Sequence, residues 1–298
     1  MQYRRIGSTA VSVIGLGAMP LSIEGRPAED RSFATVHAAL DAGVTLIDTA
    51  DSYHWHADEV GHNEQLIARA LATYGGDTSG VLVATKGGRG RPGDGTWTVN
   101  GTPEHLKRAC HASLKRLGTD AIGLYQLHKP DPQVPWAESL GALSDLLAEG
   151  SIRAAGISNV DTAQIREAHA LLGDGLVSVQ NRFSPEVQDS EPELRLCAEL
   201  GIAFLPWSPL GGISRSSLDG PSALDGSRAP AYAAFHEVAR ERRVTPQQVC
   251  LAWLLALAPV VVPIPGSSRP ETVRASAEAA DLRLTEAEVA RLTRSTVR

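Results

Sequence analysis

The sequence predicts an α/β fold, a closed (β/α)8 TIM-type barrel with an N-terminal β-hairpin across its bottom. Three observations predict it. Short runs of Val, Ile and Leu alternate with longer segments of helical period along the chain. Eight such runs occur, the number that closes a parallel barrel. The runs are apolar on both faces, as strands buried between a core and a shell of helices must be. An open, doubly wound sheet also fits the alternation and is the alternative.

Met1–Gly17 supplies the hairpin, turning at Gly7-Ser8, and leads into run one, Ile14-Gly-Leu-Gly17. Gly15-x-Gly17 continues to Pro20, where a dinucleotide fingerprint wants a third Gly, so it reads as a tight turn at strand one. A helix follows over Arg31–Gly43, with Val36, Ala39 and Leu40 on one face. Run two is Thr45–Ala50, then a helix over Glu64–Thr73. Run three, Val81–Lys86, precedes Gly87-Gly-Arg-Gly-Arg-Pro-Gly, which lacks the ending of a phosphate loop and reads as a flexible rim loop. Next comes a helix over Pro103–Leu117, with Thr102 as N-cap and Pro103 at the first helical position. Run four is Gly123–His128, then a helix over Trp136–Ala148 stopped by Gly150. Run five, Ile152–Asn159, is followed by a helix over Thr162–Leu172. Run six, Val177–Gln180, is followed by one over Pro192–Leu200. Run seven is Ile202–Trp207. Helices over Ala231–Arg243 and Pro246–Leu257 precede run eight, Val260–Gly266. Two short helices, Pro270–Ala280 and Thr285–Thr293, end the chain. No repeat, low-complexity tract or linker interrupts it, so residues 1–298 are expected to form a single domain. The longest irregular stretch is Gly211–Pro230; loops of that length in compact domains are usually functional or mobile.

At 43% hydrophobic and 21% charged, the composition is that of a globular enzyme with a full core. A net charge of −6 argues against nucleic acid and membrane surfaces as partners. Cys110, Cys197 and Cys250 have no metal-ligand spacing and lie on helix-like faces, as buried free thiols do. So few cysteines, odd in number, suit a reducing compartment, and a cytoplasmic location is expected. The N-terminus is too short and polar for a signal h-region, and the apolar stretch Val249–Val262 is too short to span a bilayer. Asn100-Gly-Thr102 is formally a glycosylation sequon, read as chance. Oligomeric state stays open.

Polar residues gather at the strand ends. Asp48 and Tyr53 follow run two, Lys86 run three and His128 run four. Run five ends at Ser158-Asn159, run six at Gln180, run seven at Trp207-Ser208 and run eight at Gly266-Ser267-Ser268. In a parallel barrel these ends share one face, where sites are built. An acid, a phenol, an ammonium and an imidazole would then converge on one pocket. Such a set can protonate a carbonyl oxygen while hydride arrives at its carbon. It suits no metal, and none is expected. Free tyrosine has a pKa of ~10, so a Lys86 ammonium beside Tyr53 is expected to lower it. Asp48 would keep Lys86 charged, and His128 would hold the substrate oxygen.

Leu46-Ile-Asp-Thr-Ala-Asp-Ser-Tyr53, Ala84-Thr-Lys-Gly87, Leu127-His-Lys-Pro-Asp131, Gly156-Ile-Ser-Asn-Val160 and Trp207-Ser-Pro-Leu210 resemble the signatures of the aldo-keto reductases, in order and spacing, from Tyr3 to about Ala280. The resemblance implies an (α/β)8 barrel that binds NADP(H) extended across its strand ends. It implies Asp48, Tyr53, Lys86 and His128 as a catalytic tetrad, with Ser158, Asn159 and Gln180 around the nicotinamide carboxamide. Trp207 stands where many relatives have Tyr and would offer the nicotinamide a flat face; Ser208 and Leu210 belong to the same cofactor stretch. Gly266, Ser267, Ser268 and Arg269 open a helix whose N-terminus would take the 2′-phosphate, with Arg269 as the charged contact. Gly266, Thr272 and Ser276 replace a Lys, an Arg and an Asn found in many members. The expected reaction is reversible reduction of an aldehyde or ketone by NADPH. Sugars, macrolide aldehydes, pyridoxal-like compounds and quinone-like ketones are all open as substrates. A cofactor-binding barrel with a regulatory or subunit role is the alternative, and a metal-dependent barrel hydrolase a weaker third. His54, His56 and His62 read as surface or rim residues, since no Cys or carboxylate completes a zinc geometry. Among Trp55, Trp97 and Trp136, Trp97 is the first candidate for the substrate pocket.

Overall fold

A computed structural model describes residues 1–211, 213 and 232–296. Strands β1 (Tyr3–Ile6) and β2 (Thr9–Ser12) form the antiparallel hairpin, turning at Gly7-Ser8 as expected. Gly7 has φ +57°, and a Cβ there would press on Val177, so the position requires glycine on both counts. Seven parallel strands follow: β3 (Leu16–Gly17), β4 (Leu46–Asp48), β5 (Leu82–Gly87), β8 (Leu124–Leu127), β9 (Ala155–Ser158), β10 (Leu176–Gln180) and β11 (Ala203–Phe204), paired in that order. Between β5 and β8 lies a small antiparallel ribbon of β6 (Arg89–Gly90) and β7 (Thr98–Val99). The expected flexible rim loop is therefore partly built, held by the ribbon's ladder.

Residues 260–266 complete the barrel. Pro263 and Pro265 carry no N–H, so a full ladder cannot form. Bonds instead alternate. On one side Phe204 N donates to Val260 O, Val262 N to Phe204 O and Ile264 N to Pro206 O. On the other, Gly15 N and Gly17 N donate to Pro263 O and Pro265 O. Both edges of the seven-stranded sheet close on this one segment, which gives the (β/α)8 barrel and excludes the open sheet. Gly15 and Gly17 are not turn residues, contrary to the sequence reading: neither has positive φ. A Cβ on Gly17 would lie 2.7 Å from Ile264 O, and one on Gly15 3.0 Å from Ile264 and Leu46 side chains. They are bare because two strands approach closely at the seam.

The helices are α1 (Glu29–Asp41), α2 (His62–Ala72), α3 (Pro103–Leu117), α4 (Trp136–Glu149), α5 (Thr162–Leu172), α6 (Glu191–Leu200), α7 (Ala233–Arg242), α8 (Pro246–Leu257), α9 (Pro270–Glu278) and α10 (Glu286–Thr296). The expected ends hold to within a few residues, the largest shift being α10, which runs on past Thr293. Gly150 stops α4 in the left-handed conformation. Asp161 and Thr245 start α5 and α8 with capping boxes. Thr102 occupies the cap position of α3 but does not cap it; its hydroxyl donates instead to Asn100 Oδ1. The stretch Gly211–Pro230 lies, apart from residues 211 and 213, outside the described residues.

Two apolar layers hold the barrel. Inside, Leu46, Leu82, Leu124, Val177, Leu205 and Val262 meet Ile6 and Val11 from the hairpin, which plugs the bottom. Outside, Tyr125, Leu127, Ile157 and Phe204 pack against Leu143, Val249 and Trp253 of the helix shell. Each fully buried leucine contributes about 1.5–3 kcal/mol. The apolar filling occupies the lower barrel, and polar side chains take over towards the C-terminal strand ends.

Candidate active site

Polar residues begin on the inward face of the central strands. Asp48 ends β4, and the loop after it is tied to β5 by Thr49 N to Ala84 O and Asp51 N to Lys86 O. This brings Tyr53 back over Lys86. Lys86 is fully buried, and its ammonium uses all three donors: Asp48 Oδ2 at 2.6 Å, Tyr53 OH at 2.9 Å and Thr49 O at 3.0 Å. Because the Tyr53 oxygen accepts this bond, its own proton stays free. Asp48 Oδ1 accepts from Gln180 Nε2 at 2.8 Å and from Gln126 Nε2 at 3.3 Å. Ser178 Oγ then donates to Gln126 Oε1 at 3.3 Å. Gly156 leaves the room for this layer, since a Cβ there would lie 2.2 Å from Ser178 Oγ and 2.8 Å from Gln126 Cγ.

His128, just past β8, is anchored by its N–H on Gly87 O. Its ring stands edge-on to Tyr53 at 5.6 Å and to Trp97 at 6.3 Å, with Nδ1 3.3 Å from Ser52 Oγ. Burial, then the nearby Lys86 and Arg89 charges, hold its pKa well below the ordinary histidine value. The ring is neutral near pH 7. Burial pulls the Lys86 ammonium down, but Asp48 and Tyr53 together outweigh it, and its pKa sits above the usual value. Tyr53 departs from expectation. Burial raises its pKa, the Lys86 charge opposes that, and the net position is above the usual tyrosine value. Proximity to Lys86 does not lower it, because the phenol is desolvated and Asp48 cancels part of the ammonium's field.

These side chains line a cavity of about 940 Å³ at the C-terminal strand ends, with Lys86 just behind its wall. All the other residues expected at the site line it. Ser158 and Asn159 lie on its floor: Ser158 Oγ donates to Gln180 O at 2.6 Å, and Asn159 Nδ2 donates to His128 O at 2.9 Å. Gln180 spends its amide N–H on Asp48 and so belongs to the Asp48–Lys86 layer as well. Trp207 packs partly on the barrel interior and partly on the cavity, with its indole Nε1 buried and unbonded. Ser208 and Leu210 follow it along the wall, and Ser208, like Asn159, has positive φ. Strained backbone of this kind gathers at functional sites. Gly266, Ser267, Ser268 and Arg269 line the far end at the start of α9; Ser267 Oγ donates to Arg269 O, and Arg269 is exposed.

Some residues at or behind the cavity wall were not foreseen. Gln126 could have been found, since it precedes His128 by two along a strand and shares its inward face. Arg89, Thr245 and Gln247 carried no comparable signal. Trp97 lines the cavity as expected, whereas Trp55 stacks on His56 outside it and Trp136 donates to Gln164 O. His54 Nδ1 lies 2.7 Å from His56 O, and His62 Nδ1 2.8 Å from Ser22 Oγ. Cys110, Cys197 and Cys250 are buried free thiols; burial raises all three, Cys110 and Cys197 to about 12. Among the described residues no helix is long and apolar enough to cross a membrane.

The chain matches the aldo/keto reductase family over residues 13–296. An uncharacterised oxidoreductase of Schizosaccharomyces pombe is 32% identical over 97% of this chain and 88% of its own length. A second fission-yeast protein, an aldo-keto reductase named for NADP(+), is 31% identical over 96% of this chain and 88% of its own. The crystal structure of a Klebsiella pneumoniae aldo/keto reductase in complex with NADP and acetate superposes with a TM-score of 0.77, at 28% identity, over 98% of this chain and 94% of that one. Barrel, strand-end site and whole-length likeness agree, and the chain belongs to the aldo/keto reductase family of oxidoreductases.

Proposed function

We propose that this protein is an NADPH-dependent carbonyl reductase that converts an aldehyde or ketone reversibly to its alcohol, with Tyr53 as general acid. One observation carries the reading: Tyr53 OH accepts from the Lys86 ammonium and keeps its own proton free at the cavity wall. The bound nicotinamide cofactor supplies hydride to the carbonyl carbon. The residues present fit such a cofactor. Trp207 offers a flat aromatic face, Ser158 and Asn159 offer polar atoms for the carboxamide, and the α9 N-terminus with Ser267, Ser268 and Arg269 suits a phosphate. The NADP-named relative and the NADP-bound neighbour support the phosphorylated form of the cofactor.

In reduction, Tyr53 passes its proton to the carbonyl oxygen, and the Lys86 ammonium stabilises the phenolate left behind. Asp48, fixed by Gln126 and Gln180, keeps Lys86 charged and aimed. Neutral His128, its Nδ1 3.3 Å from Ser52 Oγ, donates to the same carbonyl oxygen when its proton is on Nε2. In oxidation the phenolate takes the alcohol proton. A raised phenol pKa suits the reductive direction, since the acid form dominates at neutral pH.

Tyr53→Phe tests this. The variant is expected to fold and bind NADPH yet lose at least about 10²-fold in turnover on an aldehyde the wild type reduces well. Turnover within about tenfold of wild type would remove Tyr53 from the proton step. Failure of the wild type to oxidise NADPH with any of a broad carbonyl panel would favour a cofactor-binding role instead.

A further inference from the structure

The β6–β7 ribbon places two arginines against one tryptophan. The Arg89 guanidinium carbon lies 4.5 Å from the centroid of the Trp97 ring and that of Arg91 4.6 Å from it. Their charges meet different fates. Arg91 is committed: Nη2 pairs with Glu24 Oε1 at 2.5 Å, Nη1 donates to His54 O at 2.7 Å, and its side chain is 5% exposed. The Arg89 side chain has no ion pair and no hydrogen bond among the described residues, and its Nε is buried and unbonded. Unlike Arg91, Arg89 lines the cavity, alongside Trp97, His128 and Tyr53.

Stacking on Trp97 explains where Arg89 stands but not why its charge is left uncompensated there. A cation–π contact leaves the N–H edge of the guanidinium without acceptors. Burial disfavours the charged form of Arg89; Tyr53 opposes this in part, and the nearby Arg91 charge adds to it. The carboxylates lining the cavity do not offset it. Asp48 is held by Lys86, and Glu271 belongs to the first turn of α9 at the opposite end. A fixed, partly desolvated fork of N–H donors beside the reaction centre matches a planar anion.

We propose that Arg89 is a specificity-determining residue that binds a carboxylate on the substrate, so that the preferred substrates are oxo acids rather than neutral carbonyl compounds. This rests on the carbonyl-reductase reading above. The substrate's carbonyl oxygen meets Tyr53 and His128 while its carboxylate meets the guanidinium edge, which fixes which end of the molecule enters first.

The test uses the intact enzyme with 3- and 4-carboxybenzaldehyde and the methyl ester of each. Wild type is expected to prefer at least one acid over its ester by about 10- to 100-fold in kcat/KM, the range of a charged bidentate contact. Arg89→Met removes that preference, chiefly through KM for the acid, leaves turnover of the esters within about threefold, and leaves KM for NADPH unchanged. Arg89→Lys restores part of it. Calorimetry with isophthalate and terephthalate, in the presence of NADP⁺, is expected to show binding to wild type that Arg89→Met weakens to the same degree. Equal use of acids and esters by wild type would overturn the anion subsite while the reductase reading stands. An Arg89→Met loss falling on KM for NADPH would likewise overturn it and assign Arg89 to the cofactor. Arg89-dependent dicarboxylate binding without reduction of any aldehyde would keep the anion subsite and remove the reductase reading.

Discussion

The two ends of the cavity are built in opposite ways. At the Tyr53 end the buried ion pair is already satisfied by the protein: Lys86 spends three donors, and Asp48 accepts on both oxygens. At the α9 end, Ser267 bonds only within its own turn and the Arg269 side chain is exposed. The difference separates two tasks. Proton transfer needs groups fixed before the substrate arrives, so folding itself assembles them. Under the proposed function, cofactor recognition at the α9 end is completed by the ligand, which the exposed Arg269 is free to meet. Substitutions at the first end should strike turnover and stability together, and those at the second end affinity alone.

Lys86→Met should give the largest effect. It strands a buried carboxylate, so stability should fall by about 3–5 kcal/mol in denaturant titration, and turnover by at least about 10²-fold. Combined with Tyr53→Phe it should cost little further turnover, because the two act as a unit. Unchanged stability would show that the acid–base end is not held together by its ion pair and would break the contrast. Trp207→Ala should weaken cofactor binding by about 1 kcal/mol and remove most of the tryptophan-fluorescence quench that NADP⁺ produces, without loss of fold. A full quench in the variant would move the nicotinamide elsewhere. Arg269→Ala should raise KM for NADPH by about two- to fivefold at unchanged kcat, the scale of an exposed charge contact, and leave KM for NADH alone. Equal losses with both cofactors would remove the 2′-phosphate from this residue.

The smallest expected effect is none at all. His128 is held neutral, so the reductive kcat/KM should be flat from about pH 6 to 8, with no inflection near the ordinary histidine pKa of about 6.5. Tyr53 is held protonated, so reduction should fall only in strongly alkaline buffer, while alcohol oxidation should climb with pH as the phenolate fraction grows. A reductive profile with a step near neutrality that His128→Gln abolishes would show that this end titrates after all.

Much of this was readable in the chain because strand ends are local signals. The Asp48, Lys86 and His128 positions follow from where apolar runs stop, and a parallel barrel turns those stops into one site. What was misread depended on partners distant in sequence. Gly15 and Gly17 read as a turn, because nothing nearby reveals that Ile264 will press against them. The ribbon was missed because its strands span two residues each and its loop contains Gly93 and Gly95, both at positive φ. Arg89 went unseen with it. The direction of the Tyr53 shift was misjudged because adjacency to Lys86 is visible in a motif, whereas desolvation is a property of the finished interior.

The proline-bearing closure has a mechanical meaning. Elsewhere the barrel is laced by strand ladders, with one register shift between Leu176 and Ser178, but at residues 260–266 it is buttoned at alternate residues, with no amide at Pro263 or Pro265 to exchange or re-pair. The amides of Phe204, Val262, Ile264, Gly15 and Gly17 therefore form a compact readout of whether the cylinder is shut. Gly17 and Gly266, bridged across that closure, are also cavity wall, so an opening of the seam would widen the cavity at that point. If the proposed cofactor bridges this seam, hydrogen exchange at those five amides should slow together when NADP⁺ is added.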